Sequence, residues 1–366
     1  MSTSEERMRI LEMVREGKIT AEEGARLLEA LQPKATADAG GGRLAGDDPM
    51  GSIGEVVQQA IQSVDWKGML GSFGGSFGGS FSSGPLHGLE RKREREQEGW
   101  EMLTLSDGDH GTFELREGDE LAVEHEGGSI EAAAGEAPAR LELEGDGIHD
   151  YGVYVARKDR RVVVACHRTA QFARMPRLKL GVPRGVADVS LRTAGGSLTA
   201  EEFAVPVHLK TSGGSIRVRG QRGAPVEAKT AGGSIKVDGT PSRIELHTSG
   251  GSINFEGRTE AFDVKTSGGS VRIDGACLTT GEHNAKTSGG KVSIGLTRDS
   301  SVAINAKTSA GSVAVDLPGA EGERGGSKIS PRYTGRYNGG AATLNASTAA
   351  GSVSINLAEA AHQEAA

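Results

Sequence analysis

Seven basic side chains recur one position before a threonine: Arg192, Lys210, Lys229, His247, Lys265, Lys286 and Lys307. On the far side of a glycine pair, Arg217, Lys236, Asn254 and Arg272 recur in the same way. A file of cations is the pattern that attracts phosphate-bearing polymers, lipid headgroups or an acidic partner. Stacked like charges repel, so such a file needs solvent, nearby acids or an anionic ligand. The residues themselves favour a second reading: a solvated edge that discourages sheet-to-sheet aggregation, partly neutralised by Asp238, Glu256 and Asp274.

Other chemistry is weaker. Gly74-Gly75-Ser76-Phe77-Gly78 spells GxSxG, but it lies in a low-complexity run rather than at a strand-to-helix elbow. The GGSK at 325–328 lacks the spacing and following hydroxyl of a phosphate-binding loop. Asp107 and Asp109 are two acids in a turn, short of a calcium loop. Neither HExxH nor a cluster of His and Cys occurs, so the reading is non-enzymatic, with no catalytic residue, metal site or cofactor.

The elements that position the basic files follow from a repeat. KTSGGSIRVRG at 210–220 returns as KTAGGSIKVDG, HTSGGSINFEG and KTSGGSVRIDG. Its threonines are Thr193, Thr211, Thr230, Thr248, Thr266, Thr287, Thr308 and Thr348, spaced by 18, 19, 18, 18, 21, 21 and 40 residues. Periods near twenty signify stacked supersecondary units, and the last step reads as two rungs with a degenerate copy between. Apolar residues alternate on both sides of the glycines: Ile216 and Val218, Ile235 and Val237, Ile253 and Phe255 after them; Val207 and Leu209, Val226 and Ala228 before. Period two on both sides of a turn predicts two strands per rung, with the apolar files and the threonines facing one interior. The fold class is therefore mainly β: a single-chain β-solenoid with two strands per rung of 18–21 residues. Glycine at each corner is expected because it tolerates φ > 0 and because small residues let corners stack. His283 interrupts one apolar file as a tolerated polar residue. LAVEHEGGSIEAA at 121–133 carries the same corner with His125 in the threonine slot, and the 330–340 stretch reads as an excursion from the stack.

Around this β region, 101–357, the chain changes character. Residues 1–33 predict a helical hairpin: Met8, Leu11 and Val14 at helical spacing, Gly17 as a stop, then Thr20 and Glu23 as a capping box before Leu27, Leu28 and Leu31. A hairpin this small cannot bury enough surface to stand alone. Its apolar residues are expected to mediate self-association or docking to a protein partner. Residues 34–100 read as a flexible linker, with an amphipathic helix at 52–66, a Gly/Ser run carrying Phe73, Phe77 and Phe81, and the alternating-sign run LERKREREQE at 89–98. Residues 358–366 read as a disordered tail.

The totals agree. Glycine numbers 56 and aromatics only 4% of the 366 residues, unsuited to a compact aromatic core. A net charge of −7 argues against nucleic acid. Two isolated cysteines, Cys166 and Cys277, form neither a disulfide framework nor a CxxC site. The start lacks a secretory signal pattern, and no run reaches the ~20 apolar residues needed to cross a bilayer. The expected location is the cytoplasm, with the membrane periphery and leaderless export as alternatives.

VPRG at 182–185, followed by the TSGGSI copies, resembles the bacterial putative-adhesin family, a domain of unknown function with a VPxG-type lead-in and T-x-G-G/D-S-I rungs. ERMRILEMVREGKITAEEGARLLEAL resembles the SHOCT-like module that opens the LiaX/YvlB group. The resemblance implies a β-solenoid protein tied to bacterial envelope stress and antimicrobial-peptide response, with no catalytic site to carry over. The long phenylalanine-bearing linker departs from that family. Anionic envelope polymer or a membrane surface is the expected partner of the solenoid. The alternative is a structural protein polymerising by end-to-end solenoid stacking.

Overall fold

The computed structural model describes residues 87–106, 111–146, 148–169 and 175–358. The chain divides into two units, Met1–Met50 and Gly51–Ala366, and every described residue belongs to the second. The predicted hairpin, the helix at 52–66 and the Gly/Ser/Phe run lie outside the described residues, as do the GxSxG run, Asp107 and Asp109.

Two long sheets, of fourteen and twelve strands among the described residues, enclose one core. Each regular rung gives one strand to each sheet. Val207–Thr211, Val226–Thr230, Arg243–Thr248 and Ala261–Lys265 lie side by side in the first sheet, parallel and in register. Ile216–Arg222, Ile235–Thr240, Ile253–Thr259 and Val271–Ala276 do so in the second. Ile216, Ile235 and Ile253 are paired neighbours, each 1% exposed, so the aliphatic files superpose as the period-two pattern requires. His283 is buried in its file, with Nδ1 accepting from the Phe262 N–H at 3.4 Å and Nε2 2.8 Å from the Thr280 carbonyl oxygen.

Two expectations need correction. The corner glycine pairs do not owe their place to positive φ. In Gly232-Gly233 a Cβ on Gly233 would lie 2.0 Å from the Gly214 carbonyl oxygen, whereas one on Gly232 would meet its nearest atom at 3.3 Å. Close stacking of corners demands the second glycine. Left-handed glycines stand instead at the far ends of second-sheet strands, as at Gly257 (φ 138°) and Gly275 (φ 94°), where the register shifts.

The second correction concerns rung order. The stretch before Thr348 is no degenerate rung. Glu321–Gly326 and Pro331–Tyr337 form an antiparallel hairpin that pairs with Val302–Ala310 at the end of the first sheet. The chain then turns back, and Ala342–Ala350 inserts between Glu282–Thr287 and Val302–Ala310. The same reversal occurs at the other end. Glu120–His125 lies between Arg161–Arg168 and Asp188–Thr193, although it precedes both in sequence. Antiparallel strands, including Tyr151–Lys158 on Arg161–Arg168, close that end. A buried ion pair, Arg157 to Asp119 at 3.0 Å, pins it.

The helix His87–Gln97 packs on the outer face of this terminal hairpin. Arg95 donates to the Tyr154 hydroxyl at 2.8 Å and to Glu124 at 3.0 Å, and its guanidinium lies over the rings of Tyr154 and Trp100. Beneath lies a small apolar cluster of Tyr154, Ala156, Val163 and Ala165.

Candidate functional site

At each corner the threonine hydroxyl ties two rungs together. Thr230 Oγ1 donates to the Gly214 carbonyl oxygen of the neighbouring rung at 2.8 Å and accepts from the Gly233 N–H of its own corner at 3.3 Å. The pattern recurs from Thr211 to Thr287. It follows the inserted order at the far end, where Thr348 donates to Gly290 and Thr308 to Gly351. Serines add a second ladder, as in the Ser252 N–H to Ser234 Oγ at 3.2 Å. The threonine hydroxyls are inside and engaged, and the corner serines are exposed but bonded to one another's backbone. The side chains free to meet a partner are those on the outer faces of the sheets.

On the outer face of the first sheet, Arg192, Lys210, Lys229, His247, Lys265 and Lys286 occupy consecutive paired positions. Lys307 does not follow Lys286: the inserted strand places Ser347 between them, and Arg332 pairs beyond. Arg217, Lys236 and Arg272 belong to the second sheet, with Asn254 between the last two. Because outward positions of two facing sheets point away from each other, the predicted basic residues form two files on opposite faces. Met8, Leu11, Val14, Leu27, Leu28 and Leu31 lie outside the described residues.

An acidic file absent from the sequence reading runs beside the first basic one. Glu227, Glu245 and Asp263 pair in consecutive rungs two positions before the basic residues. Lys229 bridges Glu227 at 2.5 Å and Glu245 at 3.2 Å, and Lys265 meets Asp263 at 2.9 Å. The signal was visible in VEAKT, IELHT and FDVKT, but only the register shows one lysine reaching two rungs. His208 sits in the same file, held by Asp188 at 3.0 Å and Glu227 at 2.9 Å. Hydrogen bonds to Asp188 and Glu227 push its pKa up to about 10, and the bond from His208 brings Glu227 down to about 2. On the second sheet, Lys236–Glu256 at 3.5 Å and Arg272–Asp274 at 3.3 Å pair similarly.

Among the described residues, no three His, Cys, Asp or Glu side chains gather as a metal site would need, and both cysteines are buried and neither forms a disulfide. Gly325 and Gly326 end a hairpin strand rather than opening a helix, so the GGSK run has no phosphate-loop geometry. No helix among the described residues is long and apolar enough to cross a membrane.

Two parallel sheets closed over stacked aliphatic files, with a threonine–glycine ladder at every regular corner, define a β-solenoid of the toastrack type. Residues 171–356, just over half the chain, match the family described as Toastrack DUF4097, and the chain belongs to that family. Residues 5–35 match a SHOCT-like domain. No curated protein matches the chain. Among solved structures, a putative adhesin from Bacteroides fragilis NCTC 9343 is similar over 68% of this chain and 95% of its own, at 15% identity and a TM-score of 0.40. A putative cell adhesion protein from Clostridium sporogenes ATCC 15579 is similar over 69% and 99%, at 10% identity and a TM-score of 0.25.

Proposed function

We propose that this is a non-enzymatic bacterial scaffold associated with envelope stress. It self-associates through the N-terminal hairpin and binds anionic envelope polymer or a membrane surface along its solenoid. The observation that carries the binding half is the in-register file of basic residues from Arg192 to Lys286 on one sheet face, interrupted by His247, whose burial and then the neighbouring Lys265 hold it below its ordinary pKa. A sheet tied rung to rung by buried threonine bonds holds these charges at a fixed spacing of about 4.8 Å, with little ordering left to do on binding. The solenoid ends give less support to end-to-end polymerisation: the open edges are short strands, such as Glu101–Leu103, or charged and glycine-rich ones, such as Glu321–Gly326.

On this reading the protein acts in the cytoplasm at the membrane periphery, which cell fractionation checks. The binding test compares wild type with the K210Q/K229Q/K265Q/K286Q variant in pull-downs on anionic liposomes and envelope polymer. Lower retention of the variant is expected, and equal retention removes the face from consideration. Light scattering with and without residues 1–33 tests the association half, which predicts oligomers only when the hairpin is present.

A further inference from the structure

The acidic file beside the basic one ends at Asp263. VEAKT, IELHT and FDVKT place Glu227, Glu245 and Asp263 three positions before the threonine, whereas HNAKT, INAKT and LNAST place Asn284, Asn305 and Asn345 there. The inserted strand Ala342–Ala350 stacks these asparagines in consecutive layers, in the order Asn284, Asn345, Asn305, and Thr334 follows on the terminal hairpin. The amides bond along the stack: Asn305 Nδ2 donates to Asn345 Oδ1 at 3.2 Å, and Asn345 Nδ2 to Asn284 Oδ1 at 3.3 Å. Alongside, the basic file continues as Lys286, Ser347, Lys307 and Arg332. Lys229 and Lys265 are bridged by carboxylates, but an amide brings no charge. Lys286, Lys307 and Arg332 are exposed and make no ion pair among the described residues. Carboxylates stand only at the borders of this strip. Asp263 is taken by Lys265, and Glu282 accepts from Asn345 Nδ2 at 2.9 Å. Glu321 and Glu323 lie on the outermost strand, opposite Arg336 and Thr334. Three cations thus share four adjacent strands spaced about 4.8 Å apart, beside a ladder of neutral amides.

We propose that this strip is the binding site for an acidic polysaccharide, its acid groups on Lys286, Lys307 and Arg332 and its hydroxyls on the asparagine amides and Ser347. A guanidinium offers paired N–H donors that match two carboxylate oxygens, and an ammonium supplies a compact charge. An asparagine amide both donates and accepts, as a sugar hydroxyl does. A bilayer fits less well, because surface binding to lipid needs apolar side chains that enter the interface. The outward positions of the two central strands carry nothing more apolar than Ala303 and Ala349. The proposal rests on reading the outer face of the first sheet as a binder of anionic polymer, and it goes further by naming the end of that face and the chemical class.

The test titrates the full chain with four probes: polygalacturonate, neutral dextran, poly-glutamate as an acidic chain without sugar hydroxyls, and phosphatidylglycerol vesicles. Wild type is expected to bind polygalacturonate in preference to the other three. K286Q/K307Q/R332Q is expected to weaken that binding by about tenfold or more, the loss of one or more charge-assisted contacts. The charge-preserving K286R/K307R/R332K variant retains it, which separates loss of charge from loss of fold. N305D, which sets a carboxylate beside Lys307 as Glu227 stands beside Lys229, is expected to weaken binding several-fold. Equal binding of poly-glutamate overturns the carbohydrate, and a preference for vesicles overturns it in favour of a membrane surface. If wild type does not bind polygalacturonate, or K286Q/K307Q/R332Q binds it unchanged, the site is overturned. K210Q/K229Q/K265Q tells this failure from failure of the extended face. Binding lost in that variant and kept in K286Q/K307Q/R332Q removes the strip and leaves the rest of the face. The reverse pattern keeps the strip and removes the rest, and equal loss in both overturns the strip as a separate site.

Discussion

His125 occupies the slot that threonine fills from Thr193 onward, and it performs the threonine's two tasks with two different atoms. Nδ1 accepts from the Gly128 N–H of its own corner at 3.0 Å, and Nε2 donates to the Pro176 carbonyl oxygen of the neighbouring rung at 3.1 Å. Only the neutral ring can do both, because a protonated Nδ1 has no lone pair to offer. Burial drives the pKa down to about 4, against a weaker opposing pull from the Pro176 carbonyl. An unfolded chain, with its histidine near 6.5, binds the proton first as pH falls. Stability linked to this residue is therefore complete above about pH 6.5 and lost towards pH 4, on the order of 3 kcal/mol in all. Urea midpoints across that window are expected to fall steeply for wild type. H125T, which loses packing at neutral pH, is expected to fall less steeply over the same range. Parallel slopes for the two proteins would remove His125 as the acid-sensitive point.

At the scale of the corner, each residue in Thr-x-Gly-Gly-Ser-Ile has a separate task. The threonine bridges rungs, the second glycine yields to the carbonyl stacked on it, the serine receives the next N–H, and the isoleucine enters the core. Adjacent glycines should therefore respond very differently. G233A, whose Cβ would lie 2.0 Å from the Gly214 oxygen, is expected to cost several kcal/mol or to prevent folding; G232A, whose Cβ would press on the Gly213 oxygen at 3.3 Å and need only a small shift, is expected to cost about 1 kcal/mol. Thermal unfolding of the two variants side by side checks this, and equal losses would contradict it. Strands, register and inward parity were legible because period two and a near-constant repeat fix them together. The acidic file was present in the letters but not its pairing, since Lys229 bridges Glu227 and Glu245 only when two rungs lie in register. Rung order at the ends was not legible. The phrase around Thr348 fits beyond Thr308 or between Thr287 and Thr308 equally well, and nothing local in a repeat says which copies are its neighbours.

Taken whole, the solenoid is a one-dimensional stack in which each rung relies on its two neighbours, but sequence order and stacking order part at both ends. Removing residues 342–357, the last described strands of the chain, takes out an interior layer; replacing 320–338 with a short linker takes off an outer one. The first change is expected to lower the urea midpoint well beyond the second, and the reverse ranking would show that the inserted strand is not integral. The insertion also bears on synthesis. During translation the strand Val302–Ala310 leaves the ribosome before Ala342–Ala350, and its alternation suits the exposed edge of Glu282–Thr287 just as well. A nascent chain that zips up as it emerges will seat the earlier segment in the place reserved for the later one, and must release it again. The strands from Val302 onward therefore reach their final arrangement only after Ala342–Ala350 has been made, whatever the order in which the rest has closed.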